Sequence, residues 1–231
     1  MTTNERAPDG DRSYAAVRDR AAMPLDEAME TQRAVRRVLP DPVDDDIVLR
    51  CIELALRAPT GSNGQNWEFV VVKDRSTKAA FGERYRQAWS AYPGRGSAVD
   101  EAVTAAVDWQ VEHFEEIPVL VVPCLGPDAT GNAAPTAAAP PVQVSSFYGS
   151  IYPSVQNLLL AARSFGLGAS LITLPLWSIT HARRVLDLPD TVTPICMVPM
   201  GWPRGRYGPT RRRAVGEVVH LDRFGERPWL A

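Results

Sequence analysis

The chain has 231 residues, 25 Lys and Arg against 27 Asp and Glu, and a formal charge of −2 at pH 7. That length suits one large domain or two small ones with a sizeable core, and the near-neutral balance gives no global case for nucleic acid. Cys51, Cys124 and Cys196 are odd in number and far apart, without the paired spacing of zinc or redox sites, so they read as buried reduced thiols and no metal is expected.

Residues 1–23 are charged, rich in Ala and Arg and weakly periodic, which reads as a flexible N-terminal arm with at most a short helix. They carry no apolar leader segment, and no apolar run in the chain approaches the length of a membrane span, so a cytoplasmic location without membrane partners is expected. From residue 24 to 231 a single domain is expected. Leu25, Ala28, Met29 and Gln32 lie at helical spacing and deliver Arg33 at the helix end. Pro40 and Pro42 interrupt the chain before Asp44-Asp45-Asp46, a helix start with acid groups on the positive end of the dipole. Ile47, Cys51, Leu54 and Ala58 continue that helix. Asn66 to Lys73 reads as a strand, and residues 76–91 and 98–114 as two helices. The Tyr92-Pro93-Gly94-Arg95-Gly96 turn between them lacks the spacing and preceding strand of a nucleotide loop.

Pro118 to Leu125 is a continuous apolar run, hence a buried strand. Residues 126–146 are rich in Ala, Pro, Gly and Thr without apolar periodicity; a loop of that length is functional or disordered, and a lid over a substrate site is the functional reading. Phe147 to Phe165 reads as a central helix, apolar over much of its circumference. Gly166-Leu167-Gly168 ends it and opens a short strand, Ala169 to Leu174. A helix over 178–186 and a buried strand over 193–200 complete the pattern.

Two stretches carry chemistry. Arg33, Arg36 and Arg37 fall within five residues, and guanidinium forks donate in pairs to phosphate oxygens while staying charged. Ala58-Pro59-Thr60-Gly61-Ser62-Asn63-Gly64-Gln65-Asn66-Trp67 is small, polar and turn-prone just before a strand, where backbone N–H groups can approach a flat ligand. Together they resemble the nitroreductase family of FMN-dependent oxidoreductases, whose members open with an Arg-Arg-Ser-Val-Arg-like segment. A helix follows there, then Ala-Pro-Ser-x-x-Asn-x-Gln-Pro-Trp-x-Phe. Arg33, Arg37, Pro59, Asn63, Gln65, Trp67 and Phe69 match, while Val35 stands for Ser and Asn66 for Pro. The Gly-Leu-Gly turn, Gly201-Trp202-Pro203 and Arg211-Arg212-Arg213-Ala214-Val215-Gly216-Glu217-Val218-Val219 extend the likeness to about His220.

The resemblance implies an α+β fold, a mainly antiparallel sheet flanked by helices, in an interlocked homodimer with FMN at the interface. It implies phosphate contacts from Arg33 and Arg212, helped by Arg211 or Arg213, with Ala34 and Val35 offering backbone N–H groups. Arg37 is expected near N1 and O2 of the flavin ring, where two unit charges about 4 Å apart interact by roughly 4 kcal/mol at an effective dielectric near 20. Pro59, Thr60, Gly61 and Asn63 approach the flavin from the partner subunit, and Leu171, Ile172, Thr173 and Leu174 present backbone beside N5. No side chain is expected to act as obligate acid or base, because the cofactor carries the chemistry. The implied activity is NAD(P)H-dependent, ping-pong reduction of nitroaromatic or quinone-like acceptors, with NADPH or NADH as donor. Reductive dehalogenation or flavin modification on the same fold is the alternative. His113, His181 and His220 have no metal-ligand partner at i+3 or i+4. Arg204, Arg206 and Arg211 to Arg213 form a basic cluster, but only Trp202 and Tyr207 accompany it, thin support for a nucleic-acid-binding protein.

Overall fold

Every residue of Val119–Leu125 is buried, and in the computed structural model this run is β2, the strand on which the fold is built. Residues 11–93, 101–127 and 138–230 are described. β2 pairs antiparallel with β1 (Trp67–Val72), from Trp67 opposite Leu125 to Val72 opposite Leu120. On its other edge it pairs antiparallel with β4 (Thr193–Pro194) and β5 (Val198–Gly201), and β3 (Gly168–Ala169) closes the order β1-β2-β5-β3 as an edge strand. Alternation along β2 divides the core in two, as the two-residue period of a strand requires. Val119, Val121 and Leu125 pack with Ile47 and Cys51 of α3 (Asp45–Ala55) and with Val155 and Leu158 of α7 (Tyr152–Ser164). Leu120, Val122 and Cys124 pack with Phe81 and Tyr85 of α4 (Arg75–Ser90) and with Val107 and Val111 of α5 (Glu101–Glu112). The α+β sheet-and-helix expectation is therefore met.

Three local expectations are corrected. The helix foreseen over 147–165 is two helices, α6 (Pro141–Gly149) and α7. Pro141 opens one and Pro153 sits in the first turn of the other, positions where a missing N–H costs nothing. The long loop thus gives way to helix at Pro141; α6 buries no residue, so it shows no apolar stripe to the sequence, and residues 128–137 lie outside the described residues. The strand foreseen over 193–200 is interrupted. Cys124 faces Pro194 while Val121 faces Val198, so four steps on one strand span three on the other, which is a bulge. Beyond Ala169 the strand expected to Leu174 persists only as an Ile172–Met197 bridge.

The N-terminal stretch is anchored over part of its length. α1 (Tyr14–Arg18) buries Val17 completely in the core layer of α3 and α7. Asp44, the N-cap of α3, accepts from both Asp46 N–H and Tyr14 N–H, so one carboxylate ties the two helices together. Arg12 pairs with Asp41 at 3.0 Å and lies 5.2 Å over the Trp202 ring. Folded chain thus begins before residue 24. The Tyr92 turn passes at residue 94 outside the described residues.

Candidate active site

After α2 (Leu25–Thr31) the chain runs extended and is laid against the sheet edge. Val35 N–H donates to Ala169 O at 3.0 Å, Ala34 forms a parallel bridge with Ala169, and Val38 pairs with Pro203. Gly168 permits this approach, since a Cβ there would lie 2.5 Å from Val35 Cγ1. Two cavities, each about 340 Å³, open along this junction.

The first is lined by Thr31, Gln32, Arg33 and Val35, by the turn 166–169, and by Arg163, Arg206 and Tyr207. It holds three arginines and no acidic side chain, and none of the three is ion-paired among the described residues. Burial raises the Tyr207 pKa, with nearby Arg37 and Arg33 opposing the shift.

The second cavity takes the next stretch of the same two segments: Arg36 on one side, Leu171, Ile172, Thr173 and Leu174 on the other. Tyr85, Trp89, Tyr92, Val103, Val107 and Trp177 complete it. Trp89 stacks on Tyr92 at 5.6 Å and Tyr92 meets Trp177 at 6.3 Å, giving an aromatic wall. Ser170 and Ile172 N–H groups bond inward to Pro199 and Met197. Strand alternation turns those of Leu171 and Thr173 away from that neighbour, and neither has a partner among the described residues. Arg36 Nε is buried without a hydrogen-bond partner, a costly state for a charged donor unless a ligand supplies an acceptor. Burial raises the Tyr85 hydroxyl to about 12, an effect Arg36 opposes.

Of the residues singled out from sequence, Arg33 and Val35 line the first cavity and Leu171 to Leu174 the second, while Ala34 carries the bridge between. Arg37 lines neither cavity. Alternation in an extended segment turns it opposite to Arg36, and its Nη2 instead donates to Ala105 O at 3.5 Å. Arg36, and not Arg37, lines the second cavity. Arg211, Arg212 and Arg213 are exposed and line neither cavity. The chain leaves the first cavity after Tyr207 and follows α2, where Thr210 N–H donates to Glu30 O, and Arg212 Nη1 turns back to Arg211 O. Pro59, Thr60, Gly61 and Asn63 also line neither cavity and form a rim that is exposed except at half-buried Thr60. There Ser62, Asn63 and Gln65 all adopt positive φ, near 50°, a conformation that persists only when surroundings enforce it. Here Ser150 enforces it, its Oγ accepting from Gly61 N–H and its carbonyl from the Trp67 indole. Burial pushes the three thiols up to about 12, so none is a thiolate at neutral pH. Among the described residues no three His, Cys, Asp or Glu converge as metal ligands, and no helix is long and apolar enough to cross a membrane.

The sequence profile of the Nitroreductase family matches residues 29–202, well over half of the chain. The chain belongs to the nitroreductase family. A 5,6-dimethylbenzimidazole synthase of Rhodospirillum rubrum is 29% identical, the match covering 87% of this chain and 88% of that protein. An NADH dehydrogenase of Thermus thermophilus is 28% identical over 81% of this chain and 91% of its own. Among solved structures, an iodotyrosine deiodinase bound to FMN and 3-iodo-L-tyrosine superposes with a TM-score of 0.63 at 22% identity, covering 87% of this chain and all (100%) of that one. The protein is accordingly an oxidoreductase of a flavoprotein family with the nitroreductase fold. These three relatives carry three different names.

Proposed function

We propose that this nitroreductase-family chain binds FMN along the junction of residues 31–36 with 166–174 and passes hydride from NAD(P)H to nitroaromatic or quinone-like acceptors by alternating visits to one site. The observation that carries this reading is that consecutive stretches of the same two segments line both cavities, one arginine-rich and one aromatic. A phosphate of charge about −1.5 to −2 suits the first, and a flat ring suits the second. The orphaned Arg36 Nε and the unpaired N–H groups of Leu171 and Thr173 are donors of the kind that a flavin's N1, O2 and N5 edge would take up. When bound, FMN supplies the hydride exchange; the chain binds the phosphate, orients the ring and fixes positive charge near its pyrimidine end.

The exposed rim at Pro59 to Asn63 lies off its own chain's cavities, which fits delivery to a partner's flavin in a homodimer. Exposed Leu25, Met29, Leu49 and Leu56 are the kind of apolar surface such a partner would cover. Dehalogenation or flavin modification is the second reading, favoured by the names of two relatives. Arg36 is the one charged side chain that lines the second cavity among the described residues. That lining suits a planar, weakly polar acceptor better than an amino-acid zwitterion, which needs partners for both its charges.

Absorbance of the purified protein, chromatography of its released flavin, and anaerobic titration with NADPH and with NADH test this directly. Bleaching of one FMN per chain by a nicotinamide, followed by reoxidation with a quinone or nitroarene, is expected. A protein that binds no flavin overturns the reading; one that is reduced but reacts only with a halophenol moves it to the second.

A further inference from the structure

Arg163 has no counterpart among the residues that motif reasoning selects, yet it reaches the first cavity from the last turn of α7. Its Nε donates to Thr31 Oγ1 at 2.8 Å. Thr31 is itself held, because its hydroxyl donates to Glu27 O at 2.7 Å and so turns a lone pair toward the guanidinium. The fork is thus pinned from behind. Its two Nη nitrogens have no hydrogen-bond or ion-pair partner among the described residues, and Arg33 and Arg206 line the same concavity.

A cation in the last turn of a helix has an ordinary explanation, the negative end of the helix dipole. Magnitudes decide against that as the whole account. The cavity lies at the C-terminal ends of α2 and α7, which together present roughly −1 elementary charge. Three arginines bring +3, leaving about +2, with no carboxylate lining the cavity to offset it. A phosphate monoester carries about −1.5 to −2 at neutral pH and has three acceptor oxygens for the three forks.

Resting on the flavin reading above, we infer that Arg163 is a third phosphate-binding residue, oriented by Thr31, and that it makes this site select FMN over riboflavin.

The test is fluorescence titration of the flavin-free protein with FMN and, separately, with riboflavin, in the wild type and in Arg163→Ala, Arg163→Lys and Thr31→Val. Arg163→Ala should weaken FMN by about tenfold to a hundredfold, the effect of one charge-assisted contact, and leave riboflavin unchanged. Arg163→Lys should recover part of the loss, and Thr31→Val should show a smaller loss of the same FMN-selective kind. The salt dependence of FMN binding should also flatten in Arg163→Ala. Equal weakening of FMN and riboflavin would mean a packing role, and equal affinities for both in wild type and Arg163→Ala a helix-end cation only; either overturns the inference while leaving the flavin reading intact. A wild type that binds neither flavin overturns both.

Discussion

Arg36 and Arg37 are adjacent, identical in type and opposite in placement, and that difference separates what sequence could and could not say about the site. Three arginines in five residues suggested an anion site, and Arg33 lines the arginine-rich cavity. Which neighbour lines the aromatic cavity depends on the phase of an extended segment, which is fixed by the Ala34–Ala169 bridge far along the chain. Arg163 had no legible signal, because a helix-end arginine looks like solvated surface, and Arg206 stood out only as one member of a basic cluster until the fold brought both to one cavity. The placement has a measurable consequence. Removing a cation from the pyrimidine end of a flavin disfavours the reduced, anionic form. Arg36→Ala should therefore shift the two-electron reduction potential negative by about 30 mV, equivalent to roughly 1.4 kcal/mol. Arg37→Ala should leave it where it is, since that side chain already contacts the Ala105 carbonyl. Spectroelectrochemical titration of both variants decides the matter, and a shift confined to Arg37→Ala would return the ring-side role to it.

At the scale of elements, the runs that read well were those whose pattern matched their burial. β2 is apolar at all positions and buried at all positions, and α3 announces itself by an acidic N-terminus that caps it. Elements with short or shared burial read poorly: the bulged β4–β5 run, the exposed α6, and α1, whose single core residue is too little to make a period. Yet α1 lies outside the matched family span of 29–202 and still contributes a fully buried Val17, the Tyr14–Phe165 ring contact and the Tyr14–Asp44 hydrogen bond. This segment should behave as part of the domain. Val17→Ala removes two methyl-sized groups from a filled core, at about 0.8 kcal/mol each plus a cavity cost, so about 2 kcal/mol in all. In a chain of this size that lowers the melting temperature by about 4–8 °C. Thermal unfolding followed by circular dichroism checks it. A melting temperature unchanged by Val17→Ala, and by deletion of residues 1–22, would make the segment an ornament on the surface.

For the whole molecule, the two core layers on either side of the sheet account for the inside, but the outside carries apolar groups that one chain does not use. The C-terminal arm is the clearest case. It curls locally, with Leu221 N–H on Glu226 O and the His220 ring stacked on Phe224 at 4.4 Å. The Trp229 carbonyl is pressed so closely on Gly216 that a Cβ there would overlap it. Even so, Phe224 is 90% exposed, and Trp229 and Leu230 are more than half exposed. Side chains of that size in contact with water point to a surface they are meant to meet, and a second copy of the chain, as in the proposed homodimer, is the partner we infer. Burying each large side chain contributes about 1.5–3 kcal/mol, an upper bound because the free arm already shelters part of its area. Truncation after Leu221 removes three such groups from each subunit. It should raise the dimer dissociation constant at least about a hundredfold, which corresponds to roughly 2.7 kcal/mol. It should also make the melting temperature fall on dilution, as it does when folding is linked to association. Sedimentation velocity across a concentration series reads the first effect and scanning calorimetry the second. Gly216→Ala provides an independent check, because it displaces the Trp229 backbone without shortening the chain and should weaken the dimer in the same direction. Sedimentation and melting that match the full-length protein at every concentration would show that the arm serves its own chain alone.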